Sequence, residues 1–121
     1  MDEIKKIFSE KGLLSKKLEG YEFRPQQEKM ASAVTAAIDK KSIAIIEGAT
    51  GVGKSLAYLI PIILSKKVAV ISTSNKSLQD QLSNKDLPML KNVLKNDFEW
   101  AVLKGKNNYF CPQHFKQIEK S

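Results

Sequence analysis

The 121-residue chain has one cysteine, one histidine and a single arginine. A lone Cys111 excludes an intramolecular disulfide and suits a reducing compartment. With Arg24 as the sole arginine, bidentate anion recognition and any arginine finger acting in cis have one candidate. Long apolar runs are also missing: the longest, residues 56–64, is about half of the roughly 18 residues a membrane span requires. The opening Met-Asp-Glu-Ile-Lys-Lys lacks the apolar core of a secretory signal. These absences predict a cytoplasmic protein with no membrane partner. No internal repeat or low-complexity tract is present.

What is present is the composition of one ordinary soluble domain, 42% apolar and 27% charged, with a core of modest size. Any two-domain reading must treat this chain as part of a longer one. Twenty basic residues, nineteen of them lysine, oppose thirteen acidic ones. The net charge of +7 raises the expectation of a polyanionic partner such as nucleic acid.

Ile4, Ile7 and Phe8, then Leu13, Leu14 and Leu18, follow helical spacing around Gly12. Residues 1–20 therefore read as one or two short amphipathic helices covering an edge of the core. Tyr21-Glu22-Phe23-Arg24-Pro25 is an extended lead-in, because a residue before proline is kept out of helical geometry while proline suits a first helical turn. The helix that starts there carries Met30, Ala33, Val34, Ala37 and Ile38 on one face and ends at Lys40-Lys41. Residues 42–47, 68–72 and 98–103 are short, β-branched apolar runs of the kind found in strands buried on both faces. Between them lie a helix from Lys54 to about Ser65, in which Pro61 predicts a kink or a stop, and two further helices. One carries Leu78 and Leu82 and is capped by Ser74 or Asn75; the other carries Leu87, Leu90, Val93 and Leu94. Strands alternating with helices imply an α/β fold, a parallel sheet with helices on both faces. Three strands are few for such a sheet, which predicts neighbours outside these residues.

The turn between the first strand and its helix reads Gly48-Ala49-Thr50-Gly51-Val52-Gly53-Lys54-Ser55. This is the phosphate-loop pattern of glycine, four residues, glycine, lysine, then serine or threonine. Its four constrained positions coincide by chance in well under about 1% of chains this long. A plain glycine turn accounts for Gly48 and Gly53 but not for Lys54 followed by Ser55. The glycines let the backbone curl into a nest of N–H donors at a helix N-terminus, where the dipole also favours anions. Lys54 is the catalytic candidate, its ammonium set against the β and γ phosphates of ATP, and the Ser55 hydroxyl is the candidate ligand for Mg²⁺. The loop alone does not separate kinase, GTPase and motor.

The flanks do. Arg24-Pro25-Gln26-Gln27-Glu28-Lys29-Met30, some twenty residues before the loop, resembles the Q motif of superfamily 2 helicases. Ile71-Ser72-Thr73-Ser74 with Leu78-Gln79-Asp80-Gln81-Leu82 is similar to their motif Ia, and Val102 to Pro112 to the segment leading into the iron–sulfur domain of the DinG and XPD branch. The resemblance runs in family order from Phe23 to Cys111. It implies a partial RecA-like motor domain over residues 21–105, preceded by the helical segment 1–20 and followed at 106–121 by the start of an iron–sulfur domain. It further implies that Gln27, rather than Gln26, reads the edge of adenine with Arg24 beside it, since an amide both donates and accepts. Thr73 and Ser74 would contact the backbone of single-stranded DNA, and Cys111 would be the first ligand of a 4Fe–4S cluster needing four thiolates. A Ser-Thr-Ser-Asn run is equally a simple helix cap. His114 gains no role.

No apolar strand in these residues ends in the Asp-Glu pair that the family uses to hold Mg²⁺ and the attacking water. The chain is therefore read as the ATP-binding front part of an ATP-dependent 5′-to-3′ DNA helicase, unable to hydrolyse ATP by itself and dependent on the rest of the helicase chain. Two competing readings are a non-motor phosphate-loop enzyme and a nucleotide- or DNA-binding module without hydrolysis.

Overall fold

The computed structural model describes residues 2–48 and 53–104. Helix α1 (Asp2–Phe8) and helix α2 (Leu13–Lys17) are joined at Gly12. Gly12 is required by space, not by its backbone angles. A Cβ there would lie 2.7 Å from the carbonyl oxygens of Lys6 and Ile7, both backbone atoms that cannot move aside. Gly12→Ala is expected to destabilise the fold by roughly 1–3 kcal/mol, read as a lowered midpoint in urea.

Helix α3 (Pro25–Lys40) starts at Pro25 as the dipeptide Arg24-Pro25 dictates, and Lys41 closes it in the left-handed conformation. The expected apolar face is shifted by part of a turn. Gln27 and Ala31 are the residues of α3 that are buried, whereas Ala33 is exposed. Helix α4 (Lys54–Ser65) packs along α3, and Ala31 and Ala57, both fully buried, let the two helices approach closely. α4 does not stop at Pro61: it continues for another turn, with the ring of Pro61 buried in the core. Burial of Leu59, Ile60, Pro61 and Ile63, on both sides of the proline, holds the helix across the missing N–H.

The two helices expected between residues 75 and 94 form one continuous run. Helix α5 (Lys76–Gln81) passes into a π-helical turn (Leu82–Asp86) and then helix α6 (Leu87–Leu94). The Leu87 N–H reaches back five residues to the Leu82 carbonyl. The wider turn falls immediately before Pro88, which has no N–H to continue a regular ladder. Leu82, Leu90 and Val93 from this run join Ile4, Phe8, Leu14 and the α4 residues in a single apolar core.

The parallel sheet is the expectation that the structure does not show. Among the described residues there is no strand, and no backbone hydrogen bond joins the segments 42–48, 67–73 and 95–104 to one another. A strand exists only through its ladder partners. Here an open cleft of ≈ 1070 Å³ lies between 66–73 and 95–103. Ile45 is 97% and Val68 100% exposed, the reverse of the burial expected for such residues.

Candidate functional site

Gly53 is the N-cap of α4 and sits at φ 75°, ψ 49°, in the left-handed region that glycine adopts without strain. Gly53 has no side chain with which to cap this helix end, and among the described residues no other side chain caps it. The first N–H groups of α4 and the positive end of its dipole are thus left for an anion. Lys54 is exposed and Ser55 half-buried on the same first turn, with Gly48 half-buried at the other end of the loop. Ala49, Thr50, Gly51 and Val52 lie outside the described residues, as does Cys111.

The Gly53 carbonyl accepts two hydrogen bonds. One comes from the Ala57 N–H at 3.3 Å and begins the α4 ladder; the other comes from Gln27 Nε2 at 3.0 Å. The second ties α3 to the base of the loop across 26 residues of sequence. Gln27 is only 2% exposed, and its Oε1 lies 3.0 Å from the Tyr21 hydroxyl, which is also 3.1 Å from the Phe8 carbonyl. Flipping the amide would set Oε1 against the Gly53 carbonyl, acceptor against acceptor, so the network fixes its orientation. The protein uses one N–H and one lone pair of the amide, which leaves one of each.

Burial pushes the Tyr21 phenol above its ordinary pKa; Arg24 pulls it down in part and Glu28 pushes it up. The hydroxyl therefore keeps its proton at neutral pH and acts as a donor. From sequence, Tyr21 is only part of the lead-in to α3. The signal that could have found it is that a tyrosine packed against a core needs a partner for its hydroxyl, and Gln27 stands in the first turn of the next helix. Gln26 is exposed. Arg24 meets Glu22 at 3.5 Å in a solvent-facing ion pair of the kind worth about 0–1 kcal/mol.

Residues 73–75 form a cap. Asn75 Oδ1 accepts from the Ser77 N–H at 2.8 Å and the Leu78 N–H at 3.4 Å, and Thr73 Oγ1 accepts from the Asn75 N–H at 3.1 Å. Asn75, not Ser74, is the capping residue; Ser74 is exposed. No hydrogen bond joins Thr73 or Ser74 to Gln27 or Gly53. α5 is instead tied to the segment before Gly105, where Gln79 Nε2 donates to the Leu103 carbonyl at 3.2 Å and Lys104 Nζ lies 3.6 Å from Asp80 Oδ1. Among the described residues no group of three or more His, Cys, Asp or Glu side chains is placed to hold a metal ion, and no helix is long and apolar enough to cross a membrane.

Residues 3–118 match the DEAD/DEAH box helicase family. The chain is 44% identical over 117 residues to the "ATP-dependent DNA helicase YoaA" of Haemophilus influenzae, covering 97% of this chain and 18% of that one. It is 41% identical over 99 residues to the "ATP-dependent DNA helicase DinG" of Escherichia coli, covering 78% and 14%. To the "3'-5' exonuclease DinG" of Bacillus subtilis it is 38% identical over 109 residues, covering 87% and 12%. The chain thus spans less than a fifth of the length of each of these relatives. No solved structure matches it.

Proposed function

Since the chain belongs to the DEAD/DEAH box helicase family, we propose that it is the ATP-binding front part of a DNA helicase motor of the DinG and YoaA kind. The observation that carries this reading is the uncapped N-terminus of α4 at a left-handed Gly53, with Lys54 exposed beside it and the Gly53 carbonyl fixed by Gln27. A helix start at a left-handed glycine, followed at once by a lysine, has the donors and the charge for a polyphosphate.

In this reading the amides of Gly48, Ala49, Thr50, Gly51, Val52 and Gly53 surround the phosphates, Lys54 neutralises the β and γ groups and the Ser55 hydroxyl holds Mg²⁺. When bound, the metal supplies charge neutralisation across those two phosphates. Gln27 offers its remaining N–H and lone pair to adenine, with Arg24 beside it. Thr73 and Ser74 at the start of α5 contact phosphates of single-stranded DNA, and Cys111 is a ligand of a 4Fe–4S cluster in the full-length protein. Residues 21–105 belong to a RecA-like motor domain between the helical segment 1–20 and a cluster region at 106–121. In it, residues 42–47, 68–72 and 98–103 are strands of a parallel sheet with helices on both faces. The exposure of Ile43, Ile45, Val68 and Val70 supports that sheet, because apolar β-branched residues gain most by being covered.

The test is ATP hydrolysis by the full-length gene product with and without single-stranded DNA. The proposal predicts hydrolysis that rises several-fold with DNA. Hydrolysis indifferent to DNA, as for a small-molecule kinase, would overturn it.

A further inference from the structure

We propose that Tyr21 is a positioning residue of the nucleotide site, holding the Gln27 amide against the Gly53 carbonyl and so tying helix α1 to the base of the phosphate loop. The inference rests on the proposed nucleotide site and deepens it. Three contacts carry it in series: Tyr21 hydroxyl to Phe8 carbonyl at 3.1 Å, Tyr21 hydroxyl to Gln27 Oε1 at 3.0 Å, and Gln27 Nε2 to Gly53 carbonyl at 3.0 Å. Phe8 is fully buried and ends α1, so its carbonyl is one of those that a helix C-terminus leaves without an internal partner. The chain of contacts runs from the first helix to the glycine whose N–H and carbonyl flank the start of α4.

The hydroxyl has one proton and two acceptors within reach. Donated to Gln27, the proton fills the lone pair of Oε1 and leaves Nε2 directed at Gly53. Without the hydroxyl, Oε1 is a buried acceptor lacking its partner, and the amide can gain one only by turning away from Gly53. The Gly53 carbonyl then keeps only its bond from Ala57, and the left-handed glycine loses the contact that holds the Gly53–Lys54 peptide plane at the start of α4. The Lys54 N–H, a phosphate donor of the proposed site, lies in that same peptide plane. The effect of Tyr21 on nucleotide is therefore indirect, passing through Gln27 and touching no phosphate. On this account α1 and α2 do more than cover the core, because their seating is read out at the nucleotide site.

The test is a double-mutant cycle on the full-length protein, reading the dissociation constant of a fluorescent ADP analogue with Mg²⁺ at a temperature where every variant is folded. Tyr21→Phe keeps the ring and removes only the hydroxyl. It is expected to weaken nucleotide binding about three- to tenfold, the worth of one partly buried hydrogen bond. Gln27→Ala is expected to weaken it at least as much. The double variant should bind no more weakly than Gln27→Ala alone, because the hydroxyl acts only through the amide. A merely structural role would lower thermal stability and leave affinity untouched, or make the two affinity losses add. Wild-type affinity in Tyr21→Phe, or additive losses in the double variant, would overturn the positioning role while leaving the nucleotide site intact. A wild-type protein that binds no nucleotide would instead overturn the site on which the role rests.

Discussion

Replacing Lys54 by alanine is expected to weaken binding of ATP with Mg²⁺ by about 30-fold or more, the usual loss of about 2–5 kcal/mol when one partner of a desolvated charge pair is removed. The reason is local. Lys54 is the first residue of α4, exposed and directly after an N-cap that has no side chain. Its ammonium and the N–H groups of the first turn act on one anion, and among the described residues no side chain caps that turn. Because the side chain is exposed in the absence of ligand, Lys54→Ala should leave the fold unchanged, with thermal unfolding within about a degree or two of wild type. Lys54→Arg should recover little of the affinity, since a planar fork on a longer stem does not replace a compact point charge. Equilibrium titration with a fluorescent nucleotide, alongside thermal unfolding without it, separates loss of affinity from loss of fold.

Gly53→Ala should be damaging in the opposite sense, to the fold as well as to the site. Two penalties combine at this position. An L-residue held at φ 75° costs about 1–2 kcal/mol, and its Cβ would collide with the amide of Gln27. That amide is the end of a flexible side chain, but it is buried and bonded on both sides, so moving it forfeits about 1 kcal/mol more in hydrogen bonds. Unfolding in urea should show a loss of about 2–3 kcal/mol, with nucleotide binding lost as well. In a Gln27→Ala background the collision disappears and only the backbone strain remains, so the same substitution should then cost less. This non-additivity distinguishes the geometry described here from a generic intolerance of change at a phosphate loop.

The start of α3 and the cap of α5 were legible in the sequence because their signals are local. The spacing from Gly48 to Ser55 names the loop, Arg24-Pro25 marks the start of α3, and the Ser-Thr-Ser-Asn run announces the cap of α5. Asn75 provides that cap in the structure. Features that depend on packing were not legible. Periodicity placed Met30, Ala33 and Val34 on the inner face of α3; Met30 does pack against the core, but Ala33 is exposed and the buried residues are Gln27 and Ala31, and a polar residue at a buried helix position gives no hydrophobic signal. Pro61 reads as a breaker because sequence carries no measure of how strongly the core grips the turn around it. The π turn before Pro88 likewise joins two helices that the sequence divides.

The three apolar segments are the instructive case. Their residues favour strands, yet a strand is defined by a partner, and which backbone supplies the ladder is a non-local property. The described residues do not supply it, and Ile43, Ile45, Val68 and Val70 remain in solvent. Tyr21 shows the same division on a smaller scale. In the sequence it is one residue of the extended lead-in, while the direction of its hydroxyl, toward Phe8 and Gln27, exists only once α1 and α3 have packed.

Isothermal titration of the full-length protein with ATP and Mg²⁺ tests the central claim most directly. The account predicts saturable uptake of one nucleotide per chain that Lys54→Ala weakens about 30-fold or more; heats of dilution alone from a folded sample, or uptake unchanged in Lys54→Ala, would contradict it.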